Sequence, residues 1–118
     1  MDVVEVARLQ LALNRTSEFA EVVFTAEERQ AADSNLARTR QLAAIFAAKE
    51  AFLKAVGVGL WRGIPLKEIE VVRSDIDRSV TLRLGPRAVQ ALNDKACVRA
   101  VLSLSHHQTT AMAVVIIC

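Results

Sequence analysis

The chain has 118 residues, of which 53% are apolar and 24% charged, with four Gly and two Pro; that is enough core-forming material to fold, and the length implies one domain spanning 1–118. A formal charge of +2 is too weak for a general nucleic-acid binder, and the longest apolar run, Ala111 to Cys118, falls far short of the ~20 residues that span a bilayer. The start lacks the basic and continuous apolar regions of a signal peptide, and Cys97 and Cys118 have neither metal-ligand spacing nor the numbers for a disulfide scaffold, which points to a soluble cytoplasmic protein with reduced thiols.

In chain order, Leu9, Leu11, Ala12 and Leu13 predict a helix from about Val3 to Asn14. Thr25-Ala26-Glu27-Glu28 has capping-box spacing and predicts a short helix from Ala26. The strongest periodicity runs from Asn35 to Val56, where Leu42, Ile45, Phe46, Leu53 and Val56 recur at helical spacing and Gly57 supplies a C-cap. A glycine-rich loop, Gly57 to Pro65, follows. Glu68 to Arg73 and Ser79 to Leu84 read as a β-hairpin, Pro86 opens a helix to about Asn93, and Val98 to Ser105 with Thr110 to Ile117 form a last strand pair. Helices followed by mostly antiparallel strands give an α+β fold, with the long central helix packed on the sheet.

Charge is unevenly spread. Residues 1–30 sum to −3 and residues 31–63 to +3, so the middle of the chain is suited to receive an anion. On a helical wheel Lys49 falls in the middle of the apolar stripe of the central helix, where a lysine snorkels, pairs with a carboxylate, or meets an anionic ligand. Glu50 and Lys54 lie on the flank of that stripe, four residues apart, which suits either a surface ion pair or a metal carboxylate beside a phosphate-binding ammonium. Asp2 could be the second metal carboxylate or, with Glu5, a helix cap. His106 and His107 end a strand as turn or site residues, and Ser103 and Ser105 share a face of that strand.

Phe46-Ala47-Ala48-Lys49-Glu50-Ala51-Phe52-Leu53-Lys54-Ala55, followed by Gly57-x-Gly59, is the most specific string of the chain. Together with Asp2 to Glu5, Val23-Phe24-Thr25-x-x-Glu28 and Val101-Leu102-Ser103-Leu104-Ser105-His106, it resembles the holo-acyl-carrier-protein synthase family of phosphopantetheinyl transferases, in order and over nearly the whole chain. The resemblance implies an enzyme that transfers phosphopantetheine from coenzyme A to a serine of an apo acyl carrier protein and releases adenosine 3′,5′-bisphosphate. It implies a homotrimer with sites between subunits, magnesium on Asp2 and Glu50, and Glu50 and Lys54 as catalytic groups. Lys49, Lys54, Gly57, Gly59, Ser105 and His106 are the candidate coenzyme A contacts, and Arg8 and Arg15 the candidate docking residues for the acidic carrier protein. Glu50, a water or Asp33 could act as general base.

Three departures from the family pattern stand out. Only Met1 precedes Asp2, where the family has a glycine and a hydrophobic residue completing a first strand, so that strand is expected to be missing or cut. Ile45 replaces a common arginine, and the turn at Ser74 to Asp77 is short. These features leave an alternative: a non-catalytic coenzyme A-binding or assembly domain of the same fold.

Overall fold

The computed structural model describes residues 1–32 and 37–118. In order, the elements are strand β1 (Asp2–Glu5), helices α1 (Val6–Arg15), α2 (Ser17–Val23), α3 (Ala26–Ala31) and α4 (Ala37–Val56), strands β2 (Ile69–Arg73) and β3 (Val80–Leu84), helix α5 (Pro86–Asp94), and strands β4 (Ala100–His106) and β5 (Thr110–Ile117). A single 3-10 turn, Leu66–Glu68, leads into β2. The expected α+β class and its antiparallel pairings are present.

The chain's beginning differs from its sequence reading. Asp2 to Glu5 is a strand, not the first turn of a helix, and pairs antiparallel with β5 from Asp2 opposite Ala113 to Glu5 opposite Thr110. Asp2 therefore caps nothing, and the first strand expected to be missing is formed. The reason lies at the other end of the sequence: β5 also pairs with β4 and offers its second edge, which β1 fills. Burial alternates along β1, with Asp2 and Val4 inward and Val3 and Glu5 outward. Helix α2 was not anticipated, although Thr16 accepts a hydrogen bond from the Glu18 N–H and so caps it.

Helix α4 crosses the inner face of the β1-β5-β4 sheet, packing most extensively on β5, and also meets α1, α3 and β2. Its buried residues include Leu42, Ala43, Ala44, Ala47, Ala48, Ala51, Phe52 and Leu53, which cover far more of the circumference than one amphipathic stripe. The alanines make close approach to the strands sterically easy, and the covering is two-sided.

That enclosure decides the state of Lys49. Its side chain has no exposed surface; the ammonium lies 2.8 Å from Glu28 Oε1 and donates to the Leu66 carbonyl at 2.8 Å. Burial holds its pKa below the ordinary lysine value, with the Glu28 charge opposing the shift. Glu28 is equally engaged: Oε1 accepts from the Thr25 N–H at 2.9 Å, closing the anticipated capping box, and Oε2 accepts from the Val71 N–H at 2.8 Å. One carboxylate thus joins α3, α4 and β2. Thr25 adds a 2.6 Å hydrogen bond to Glu70, which also accepts from Arg83 at 3.0 Å.

Removing one member of a buried pair strands the other as an uncompensated charge. Lys49→Met is accordingly expected to cost about 3 kcal/mol or more of folding stability, measured by urea denaturation. A cost below about 1 kcal/mol, the range of exposed pairs, would mean that Glu28 and Lys49 do not form this contact in solution.

Candidate active site

Three of the side chains selected from sequence converge where β1 meets α4. Asp2 points inward from β1 and is almost wholly buried, while Glu50 is half-buried on α4. Lys54, one turn further along α4, is exposed and donates to Asp2 Oδ1. Glu50 and Asp2 are also hydrogen-bonded to each other, and the Glu50 carboxyl is pushed up to about 7. Burial is the main cause, the charge of Asp2 and its hydrogen bond add to it, and Lys54 and Arg8 oppose it. The contact with Asp2 raises the Lys54 ammonium above the ordinary lysine value.

Asp2 and Glu50 line a cleft of about 450 Å³ whose wall includes Arg8, Phe46, Leu60 and Trp61. A smaller recess of about 230 Å³ beside it is lined by Glu50, Lys54, Val58 and Gly59. Gly59 therefore borders the cluster. Gly57 lines neither; it sits at φ +76°, a conformation glycine adopts without penalty, and ends α4. Arg8 and Arg15 are both exposed on α1, and Arg8 reaches the cleft.

Ser105 and His106 stand elsewhere. They line a second cleft of about 380 Å³ with Gln41, Ile45, Arg73 and Arg78, and none of its lining residues is shared with the Asp2 and Glu50 cleft. Burial, together with the positive charges of Arg40 and Arg73, lowers the His106 pKa. Ile45, the position where an arginine was expected, forms an apolar part of this wall, so the basic groups come instead from Arg73 and Arg78 on the β2-β3 hairpin. Sequence reasoning missed both arginines because each is a single charge in a hairpin; Arg78 is brought round by a turn with φ +60°. His107 closes the β4-β5 turn, its N–H donating to the Thr110 carbonyl at 2.8 Å.

Two of the candidates need correction or bounding. Lys49 was placed among the coenzyme A contacts, but its ammonium is fully enclosed by Glu28 and Leu66 and reaches neither cleft. Asp33, a candidate base, lies outside the described residues.

In chemical terms, the site at β1 and α4 offers two carboxylates sharing a proton, or a cation, beside a solvent-facing ammonium. Among the described residues no group of three or more His, Cys, Asp or Glu is arranged to hold a metal ion. Two hard oxygen donors suit a magnesium ion whose other ligands are water and substrate phosphate, and the raised Glu50 pKa reflects the burial of that carboxyl and, second to it, the neighbouring charge of Asp2. The second cleft, with two arginines and a histidine, suits an anion.

The pattern of the 4′-phosphopantetheinyl transferase superfamily matches residues 1–114. A holo-acyl-carrier-protein synthase from Treponema denticola is 45% identical over 118 residues, covering 99% of this chain and 94% of that protein. One from Syntrophus aciditrophicus is 37% identical, covering 99% and 91%. Among solved structures, the synthase from Neisseria meningitidis superimposes with a TM-score of 0.82 at 30% identity, covering 99% of this chain and 94% of that one. The synthase from Bacillus anthracis, in complex with coenzyme A (3′,5′-ADP), gives 0.77 at 30% identity, covering 98% and 90%. The fold, the site motifs and these likenesses agree: the chain belongs to the holo-acyl-carrier-protein synthase family of the 4′-phosphopantetheinyl transferase superfamily.

Proposed function

We propose that this protein transfers phosphopantetheine from coenzyme A to a serine of an apo acyl carrier protein in the cytoplasm, with magnesium, and releases adenosine 3′,5′-bisphosphate. The observation that carries the reading is the convergence of Asp2, Glu50 and Lys54, with Asp2 and Glu50 lining one cleft and Glu50 and Lys54 the recess beside it. The serine oxygen attacks the β-phosphorus of the donor and gives its proton to water, and the bond from that phosphorus to the bridging oxygen breaks, the oxygen leaving with adenosine 3′,5′-bisphosphate. Asp2 and Glu50 would hold a magnesium ion, which when bound supplies positive charge to diphosphate oxygens that become more negative in the transition state. Lys54 presents its ammonium to the same region from the open side, where it can meet the leaving oxygen. Gly59 borders the recess beside Glu50 and permits close approach of the donor, while Ser105 and His106, with Arg73 and Arg78, are suited to another anionic part of coenzyme A. Arg8 and Arg15 form a short basic strip on α1 for the acidic carrier protein, weakened by Glu18 and Glu21 soon after.

A homotrimer is part of this reading. Val3, Val101, Met112, Val114 and Ile116 lie on one face of the β1-β5-β4 sheet, by the strand register, and all are exposed in the single chain. Neighbouring copies would cover this apolar face. Sites between copies would also explain why Ser105 and His106 open into a different cleft from Asp2 and Glu50. Val114→Asp is expected to convert a trimer into monomers in light scattering at micromolar concentration and to reduce turnover with it. A wild-type monomer with full activity would contradict this arrangement.

Intact-mass measurement of an apo acyl carrier protein incubated with the enzyme, coenzyme A and magnesium tests the central reaction. A phosphopantetheine adduct is expected, and Glu50→Ala should slow its formation at least about 100-fold, as loss of one electrostatic contact to the transition state commonly does. Binding of coenzyme A without adduct would favour the non-catalytic reading, for which Ile45 is the relevant feature.

The electrostatics of the carboxylate pair can be tested separately in protein stripped of metal with a chelator. Because folding raises the Glu50 pKa from 4.5 to about 7, the stability this group contributes is complete below pH 4.5 and is lost as the pH rises through about 7. Glu50→Gln cannot ionise. Its Tm advantage over wild type should therefore be larger at pH 8 than at pH 5, and saturating magnesium should reverse the order at pH 8. An advantage independent of pH would remove the carboxylate pair as its source.

A further inference from the structure

The loop from Gly57 to Pro65 is fastened to α4 at both ends. At its start, the N–H groups of Gly57 and Val58 donate to the carbonyls of Lys54 and Leu53 at 3.2 and 2.9 Å. At its far end, the buried Lys49 ammonium donates to the Leu66 carbonyl at 2.8 Å. Between these points Leu60 and Trp61 form part of the cleft that contains Asp2 and Glu50. Trp61 is more than half exposed and sits at φ 64°, a backbone conformation that a side-chain-bearing residue keeps only when its surroundings fix it. Lys49 takes no direct part in the proposed chemistry, yet it immediately precedes Glu50 on α4.

We propose that Lys49 is a positioning residue: anchored on Glu28, its ammonium ties the end of the 57–65 loop to α4 and so holds Leu60 and Trp61 in place over the Asp2 and Glu50 cleft. A buried cation is well suited to this task, because the Glu28 carboxylate fixes where the ammonium stands and leaves it further N–H bonds to donate. The same turn of helix then carries both the site carboxylate and the anchor of the cleft wall, so the two keep a constant relation. The effect on turnover rests on the proposed transferase function; the tether itself is a property of the fold.

Trp61 is the sole tryptophan, so its fluorescence reports on this loop alone. Lys49→Gln, shorter by one bond and uncharged, draws the donor back from both Glu28 and Leu66, each 2.8 Å from the lysine nitrogen, and so slackens the tether. At a temperature where circular dichroism shows it folded, acrylamide quenching of Trp61 should rise at least twofold. In the transfer assay the KM for coenzyme A or carrier protein should rise at least tenfold while kcat changes less than threefold, since Glu50 and Lys54 remain in place. Leu42→Ala, a core cavity two turns earlier on α4, serves as a control for general destabilisation and should leave quenching and KM within twofold of wild type. Unchanged quenching in Lys49→Gln, or an equal increase in Leu42→Ala, would overturn the proposal. Should Lys49→Gln fail to fold, NMR of the wild type decides: a slowly exchanging Lys49 ammonium with a through-hydrogen-bond coupling to the Leu66 carbonyl carbon supports the tether, and absence of that coupling overturns it. An inactive wild type would overturn the transferase reading and leave the quenching result to judge the tether by itself.

Discussion

Burial of α4 on opposite sides is the constraint from which the remaining architecture follows. A helix on the surface of a sheet can turn its polar residues to water, but α4 has strands on one side and α1, α3 and β2 on others. Lys49 has no route to solvent, so its charge must be met inside. Glu28 meets it, and because the same carboxylate is already the capping residue of α3 and an acceptor for the β2 backbone, compensating one lysine fixes three elements relative to one another. The Lys49 ammonium also lies 5.8 Å from the centroid of the Phe24 ring, an arrangement in which the ring face adds to the compensation. Hydrophobic residues of similar volume in place of both members can be as stable as the pair. Orientation is what a set of directional hydrogen bonds adds.

The site uses the opposite strategy on the next residue. Lys49 is met by a carboxylate at hydrogen-bond distance, whereas Glu50 is half-buried with a second carboxyl facing it, and its raised pKa reflects that burial first and the charge of Asp2 second. Two acids on separate elements can be held this close because each element is secured elsewhere: β1 by its ladder with β5, and α4 by its burial. Lys54 relieves part of the repulsion through Asp2 but stays largely in solvent, where a ligand can compete for it. The unfavourable contact is therefore stored where a cation would relieve it.

Much of the fold could be read in the sequence, for identifiable reasons. The α3 capping box, the glycine stop of α4, Pro86 at the start of α5 and the apolar β5 are local signals, and the structure repeats them. The misreadings involve partners distant in sequence. Asp2 to Glu5 carries too few residues to declare itself a strand without β5, more than 100 positions away. Wheel geometry places Lys49 in the apolar stripe and allows the carboxylate pairing that the structure shows, but the partner, Glu28, lies 21 residues earlier and nothing local identifies it; the coenzyme A contact comes from the family resemblance alone. Within the site, Glu50 and Lys54 were legible because i, i+4 spacing on a helix fixes their relation. Arg73 and Arg78 were not, since the hairpin alone brings them toward Ser105 and His106.

The exposed face of the sheet connects these local arguments to assembly. At the start of β5 the inward residues are Ala111 and Ala113, small enough to let α4 approach, while the larger Met112 and Val114 point outward; further along, Val115 and Ile117 face in and Ile116 out. The arrangement at the start is the reverse of what solvent alone would favour, since exposing the bulkier side chains leaves more apolar surface in water. Ser103 and Ser105 interrupt the face along β4, toward the end that carries His106 and the arginine-lined cleft. Along β4 this face thus passes from Val101 to Ser103 and Ser105, with His106 next to Ser105 on the opposite face beside the arginine-lined cleft. An association that buries the apolar end brings the polar end to its rim, where polar groups remain accessible to a ligand. Site and assembly would then share one surface, and the outward-facing methyl groups of β5 would serve both.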